Sequence, residues 1–212
     1  MVVDDASPDG TADIVKKLQS EFKQKLFIIE RAGKLGLGTA YITGFKWCLE
    51  KGYTYIYEMD ADLSHNPFDL EALYLSCKEN GADLSIGSRY KTGINVVNWP
   101  LSRILLSYCA SMYVRIITGM RIYDTTAGFV CYHRKVLEKI NLDKINMIGY
   151  AFQIEMKFKA WLLKFNIREV SIIFTDRKKG SSKMSGNIVG EAIFGVIKMK
   201  FQSIFNKKKY LS

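Results

Sequence analysis

The chain reads as an α/β domain built on a mostly parallel central sheet with helices on its faces. Three observations carry that reading. Short β-branched and aromatic runs alternate with helix-periodic segments through the first half, an order that implies crossover connections between parallel strands. Hydrophobic residues make up 48% of 212 residues, enough for a core in one domain. Acidic and glycine-rich loops follow the strand ends, which is where open α/β sheets bind their ligands.

Met1 to Asp4 reads as the end of a strand. Thr11 to Gln24 carries Ile14, Val15, Leu18 and Phe22 at helical spacing. Leu26 to Glu30 is a short strand, Gly36 to Leu49 a helix, and Tyr53 to Met59 an aromatic-rich strand. Pro67 suits the first position of a helix, and Asp83 to Gly87 is the next strand. The second half is more helical. Trp99 to Thr118 is a basic amphipathic stretch, Gly128 to His133 a strand, Ala151 to Phe165 a helix and Arg168 to Phe174 a strand. A basic loop leads to a last helix from about Asn187 to Phe205. The expected division is residues 1–186 as the α/β domain and 187–212 as an amphipathic helix with a basic tail. A sheet whose first strand already ends in a functional loop predicts a further strand and crossover before it, roughly 30 residues.

A net charge of +10 points to an anionic partner: nucleotide, phosphate, membrane surface or nucleic acid. Cys48, Cys77, Cys109 and Cys131 fit no zinc or redox spacing and read as buried free thiols. The start has no signal-peptide pattern. The most apolar long segments, Pro100 to Met120 and Asn187 to Phe205, are interrupted by Arg103, Arg115, Glu191, Lys198 and Lys200, so contact with a membrane would be at its surface.

Asp60-Ala61-Asp62 follows the strand at Tyr55 to Met59. Two carboxylates one residue apart need a compensating cation or proton. A hard divalent ion, Mg2+ or Mn2+, bridging them to a diphosphate would supply it. A polar turn with Asp62 or Ser64 capping the helix after Pro67 explains the same residues. Asp4 and Asp5 precede a Pro8-Asp9-Gly10 turn, in which Asp9 or Thr11 can cap a helix. Asp5 is placed to accept hydrogen bonds from a base or ribose. Gly33 to Gly38 is a glycine-rich loop ahead of a helix and suits either an anion or tight packing.

VVDDASPDGT, RAGKLGLGTAYITGF, MDADLSHNP, GSRY, DTTAGFVCY and the spacing to RKKGSSK together resemble the inverting family 2 glycosyltransferases of the GT-A fold. More closely they resemble polyprenol-phosphate mannosyltransferases of the dolichyl-phosphate mannose synthase type. The resemblance runs from Val2 to about Lys200. It implies that Val3 and Asp5 touch the nucleotide, and that Asp60, Ala61 and Asp62 hold the sugar diphosphate and the metal, with Asp62 its main ligand. Ser64 stands where the family often has Gln. Arg89 matches an arginine near the phosphates, and Asp62 and Arg89 are the expected catalytic residues. Arg103 and Ser107 match positions that hold an acceptor phosphate, and Arg177 and Lys183 a basic loop over the donor. Asp124 matches a position that shapes the acceptor side, and it could equally cap a helix. Val130 follows Gly-Phe where the family often has a basic residue. His65 and His133 read as loop residues without chemistry. The family's opening strand, with a Pro-x-Tyr-Asn-Glu-like segment, is not in this sequence.

The reaction implied is inverting transfer of mannose from GDP-mannose to the phosphate of dolichol or undecaprenol. A phosphate monoester, with a second pKa of about 6, is already an oxyanion near neutral pH and needs no general base. The lipid acceptor implies a protein peripheral on the cytoplasmic face of a membrane, with the basic helix after Asn187, Lys198, Lys200 and Lys207 to Lys209 at the interface. The alternatives are a sister transferase using UDP-glucose or another UDP-sugar, and a non-catalytic basic module on membrane or nucleic acid. No RNA- or DNA-binding signature is present, so no nucleic acid is expected.

Overall fold

The computed structural model describes residues 1–147, 149, 151–176 and 186–211, with backbone alone at residues 186–189 and 191. The alternation predicted for the first half is present as β1 (Val2–Asp4), α1 (Thr11–Glu21), β2 (Ile28–Glu30), α2 (Leu37–Glu50), β3 (Tyr55–Glu58), α3 (Asp69–Lys78) and β4 (Leu84–Ser88). The second half adds β5 (Val96–Val97), α4 (Leu101–Thr118), β6 (Val130–His133), α5 (Arg134–Lys139) and α6 (Phe152–Leu162). It ends with β7 (Ile167–Ser171), β8 (Phe174–Thr175), α7 (Gly186–Phe205) and α8 (Lys207–Leu211).

The central sheet has the order β3-β6-β4-β7. β6 runs antiparallel to both neighbours, and β7 runs parallel to β4. β3, β4 and β7 therefore point one way, and their carboxyl ends share one edge. β1 and β2 form a separate parallel pair, as do β5 and β8. The order of elements suggested β3 beside β4; β6 lies between them because it is buried on both faces. Val130 and Tyr132 enter the larger core with Phe45, Ile86 and Phe152, and Cys131 enters the smaller one with Leu73, Phe129 and Ile172.

The strand expected over Arg168 to Phe174 is two strands. The chain leaves β4 after Ser171, Ile172 N donates to Ser88 O, and Phe174 N donates to Asn95 O. This hand-over carries the chain from the central sheet to β5, directly over the carboxyl end of β4. Val196 and Met199 tie α7 into the larger core. Tyr113 Oη donates to Ile193 O, and Lys200 Nζ donates to Thr118 O at the end of α4. Lys200, expected to serve a membrane face, instead satisfies an orphan carbonyl at a helix C-terminus.

The glycine-rich loop resolves toward tight packing at its last glycine. A Cβ on Gly38 would meet Phe152 Cδ2 at 2.7 Å and Met147 O at 3.0 Å. The backbone atom cannot yield as a side chain would. Gly38→Val should lower stability by about 1–3 kcal/mol, read as a lower urea midpoint at unchanged slope.

Candidate active site

Asp60 and Asp62 stand just beyond β3, at the carboxyl edge of the sheet. Tyr41 Oη, on α2, donates to Asp60 Oδ1 at 2.9 Å. Asp62 Oδ1 accepts from both Ser64 N (3.1 Å) and Ser64 Oγ (2.5 Å). Leu63 makes this turn with φ of 63°, an uncommon left-handed backbone for a leucine, and its side chain is exposed. Ser64 is buried and spends its hydroxyl on Asp62, so it orients a carboxylate rather than adding a ligand. Ala61 between them is exposed.

Behind the carboxylates lies a charged interior. Glu58 is buried and accepts from Tyr132 Oη at 3.0 Å. Burial pushes its carboxyl up to about 7, against the pull of Lys157 and Tyr132. Lys157 has no exposed surface and donates to Ala127 O at 2.6 Å and to Gln153 O at 3.2 Å. Burial lowers its ammonium to about 8, opposed by Glu58 and Asp124. It holds the turn before β6 from beneath.

Arg89 follows β4. Its Nε and Nη2 donate to Asp124 Oδ2 and Oδ1, each at 2.6 Å, and Nη2 also reaches Thr126 Oγ1 at 2.8 Å. Burial disfavours the Asp124 charge, but Arg89 overrides it and holds the carboxyl below its ordinary range. Glu169 on β7 accepts from Tyr123 N and Asp124 N. Asp124 is thus not a helix cap; it is a buried carboxylate that fixes Arg89 at the cavity wall. The guanidinium expected at the phosphates is already paired and sits 5.3 to 5.7 Å from the rings of Tyr90, Trp99 and Phe174.

Arg103, on the first turn of α4, packs its guanidinium 4.1 Å from the Trp99 ring and donates from Nη1 to Asp176 Oδ1 at 2.8 Å. Ser107 lies one turn further on. Asp60, Arg89, Trp99, Arg103 and Ser107 all line one cavity of about 440 Å³, which is otherwise mostly apolar and runs between α4 and α7 as far as Ile193 and Val196. His65 lines it too. The histidine assigned no chemistry is buried between Phe129 and Phe174, and burial lowers its basicity. Cys109, expected to be buried, is exposed at the same cavity.

Asp5, which is not among the residues lining that cavity, meets a residue that sequence reasoning missed. Arg31 Nε and Nη2 donate to Asp5 Oδ1 and Oδ2 at 2.6 and 2.7 Å, and Nη1 donates to Thr39 Oγ1 at 2.8 Å. A basic residue directly after β2, opening the glycine motif, was the available signal. Val3 packs below α2 near Gly44. Asp4 accepts from Ser7 N and fastens the loop, which accounts for the second adjacent aspartate. Arg177 and Lys183 lie outside the described residues.

The model of Glycosyl transferase family 2 matches residues 1–141. The chain belongs to this family. Curated relatives of the family-2 chain include a polyprenol monophosphomannose synthase of Mycolicibacterium smegmatis, 46% identical over 196 residues that cover 92% of this chain and 74% of the relative. An undecaprenyl-phosphate mannosyltransferase of Micrococcus luteus is 47% identical, covering 92% and 79%. A solved glucosyl-3-phosphoglycerate synthase of Mycobacterium tuberculosis, in complex with Mn2+, UDP-glucose and glycerol 3-phosphate, matches with a TM-score of 0.61 at 14% identity, over 95% of this chain and 67% of that one. At that identity the likeness shows the fold alone, which is GT-A. As a glycosyltransferase the chain is an enzyme, and the reading as a non-catalytic basic module falls away.

A divalent cation suits the Asp60–Asp62 end. Both carboxylates are oriented by their own hydrogen-bond donors, Tyr41 and Ser64, and both are hard oxygen donors. Among the described residues no group of three or more His, Cys, Asp and Glu is disposed to hold a metal. The protein share of such a site is small, as befits an ion completed by phosphate and water.

Glu58 should make stability fall as pH rises. Its folded pKa lies above the unfolded value, so its contribution is complete below about 4.5 and lost as pH passes about 7. Glu58→Gln should remove a decline on the order of 3 kcal/mol between pH 4.5 and 8, measured by urea denaturation across that range.

Proposed function

We propose that the enzyme transfers mannose, with inversion, from GDP-mannose to the phosphate of a polyprenyl phosphate at the cytoplasmic surface of a membrane. The observation that carries this reading is the continuity of one apolar cavity from Asp60 and Arg89 to the outer helices α4 and α7. A sugar-diphosphate end and a hydrocarbon end within one space suit a lipid-linked phosphate better than a sugar hydroxyl acceptor. The names of the two curated relatives point the same way and favour mannose over the UDP-glucose alternative.

In this scheme Asp60 and Asp62, held by Tyr41 and Ser64, bind the diphosphate together with Mg2+ or Mn2+, which when bound neutralises charge on the leaving group. Val3 and Asp5 bind the nucleoside, with Arg31 fixing the Asp5 carboxylate. Arg103 and Ser107 hold the acceptor phosphate. Arg89, clamped by Asp124, keeps its guanidinium N–H donors fixed beside both anions, where preorganised electrostatics act most strongly. Arg177 and Lys183 would add charge over the donor. The acceptor oxyanion attacks without a base, which fits a site whose one lining histidine is buried and of lowered basicity.

α4 exposes Leu101, Leu105, Met112 and Ile116, and α7 exposes Phe194, Ile197, Phe201 and Ile204, each set along one helix face. Arg115, Lys198 and Lys207 to Lys209 flank these stripes. No helix among the described residues is long and apolar enough to cross a membrane. Apolar stripes beside cations suit the interface of an anionic bilayer.

With labelled GDP-mannose, Mg2+ and a short polyprenyl phosphate, the enzyme should yield labelled lipid, and Asp62→Asn should lower kcat/KM at least about a hundredfold, a loss of about 2.7 kcal/mol. Product from UDP-glucose but not GDP-mannose would move the protein to the sister activity. Sedimentation with anionic vesicles should retain the wild-type chain, and the double variant Phe194→Glu, Phe201→Glu should bind at least about tenfold more weakly.

A further inference from the structure

Trp99 lines the cavity, and none of the roles above uses its polar atom. The indole Nε1 is buried and has no hydrogen-bond partner among the described residues. A buried tryptophan N–H usually finds an acceptor, and leaving one unpaired is costly. Such a group in a site invites an explanation.

Its surroundings narrow the choice. Trp99 lines the cavity together with Arg89, Arg103 and Ser107. The Arg103 guanidinium lies 4.1 Å and the Arg89 guanidinium 5.4 Å from the ring centroid. Phe174 packs edge-on against the indole at 5.2 Å and fixes its plane. An indole N–H only donates, a guanidinium only donates, and a serine hydroxyl can donate. A group meeting all four must be rich in acceptors. Both guanidiniums already carry a carboxylate, Asp124 and Asp176, but a guanidinium has five N–H donors, more than those bonds use. An anion takes such donors more strongly than a neutral hydroxyl or a water molecule, which could satisfy Nε1 alone. A phosphate monoester offers three acceptor oxygens and up to two charges.

We infer that Trp99 is a binding residue for the acceptor phosphate, giving its Nε1–H to one phosphate oxygen while its ring holds the Arg103 guanidinium beside the same group. This rests on the reading of a polyprenyl phosphate acceptor. It adds a directional donor beside the two guanidiniums. A guanidinium attracts any anion, whereas a fixed N–H selects the position of one oxygen. The two functions of the side chain are separable, because phenylalanine keeps a ring and lacks the donor.

The test uses the whole chain in detergent, with farnesyl phosphate as the probe and farnesol and inorganic phosphate as controls. The protein has three tryptophans, Trp47, Trp99 and Trp161, so its 15N-labelled form gives three indole N–H resonances. Farnesyl phosphate should move the Trp99 resonance downfield. Farnesol should leave it in place, and inorganic phosphate should move it only at far higher concentration, for want of a chain to fill the cavity. Trp99→Phe should weaken farnesyl phosphate binding about ten- to a hundredfold, the range of a hydrogen bond to a charged group, with the Kd for the nucleotide-sugar unchanged. Wild-type binding that Trp99→Phe leaves intact would overturn the role of Trp99 and spare the acceptor reading. Inorganic phosphate acting at the same concentration as the lipid would overturn the lipid assignment of the site. Failure of the wild-type chain to bind farnesyl phosphate would overturn both. Should Trp99→Phe not fold, Trp47→Phe and Trp161→Phe identify the Trp99 signal by elimination, and a Trp99 resonance indifferent to farnesyl phosphate would decide against the proposal.

Discussion

The buried pair between Arg89 and Asp124 is the contact on which the rest of the site depends. It joins the end of β4 to the turn before β6 by two parallel hydrogen bonds, and Glu169 on β7 holds that turn from the other side. The carboxyl end of β4, the turn that leads into β6 and the strand β7 are thereby locked together beside the cavity. Taking either partner away would leave an uncompensated charge in the interior, a loss of about 3–5 kcal/mol. The pair is also the base of the aromatic cluster, because Tyr90, Trp99 and Phe174 all pack around the guanidinium.

From this fixed point the site grows in two chemically different directions. Toward β3 it is acidic, with Asp60 and Asp62 set by donors from α2 and from their own loop. Toward α4 and α7 it is apolar and ends on helices with exposed hydrophobic faces. β8 bridges the two, since Thr175 N donates to Ser64 O while Phe174 packs on Trp99. The acidic and the apolar ends are thus joined through a stretch of only two residues.

Much of this was legible in the sequence, for identifiable reasons. Strand and helix alternation is written in hydrophobic period, and acidic pairs after strands are conspicuous because such pairs are costly without compensation. The family motifs brought Asp60, Asp62, Arg89, Arg103 and Ser107 to notice, and one cavity gathers four of these, with Asp62 on the adjoining loop. What remained hidden was pairing. Nothing in the period of Val130 to His133 says that it inserts between β3 and β4. Nothing near Asp124 says that its partner lies thirty-five residues earlier. Tyr41 carries no spacing signal and Arg31 is marked only by its place after β2 at the head of the glycine motif; only the fold brings them to Asp60 and Asp5. Lys157 carries no signal of its own in the sequence, and only packing shows that it is fully enclosed.

The contact between Arg103 and Asp176 has a bearing on ionic strength. A basic protein that captures an anion with free cations releases counterions and binds progressively less well as salt is added. Here the arginine already carries a carboxylate. An anion arriving at Arg103 would compete with Asp176, which stays tethered beside it. Affinity at this point would then be a difference between two oxyanions rather than a bare attraction, and its sensitivity to salt would be smaller than the chain's net charge of +10 suggests.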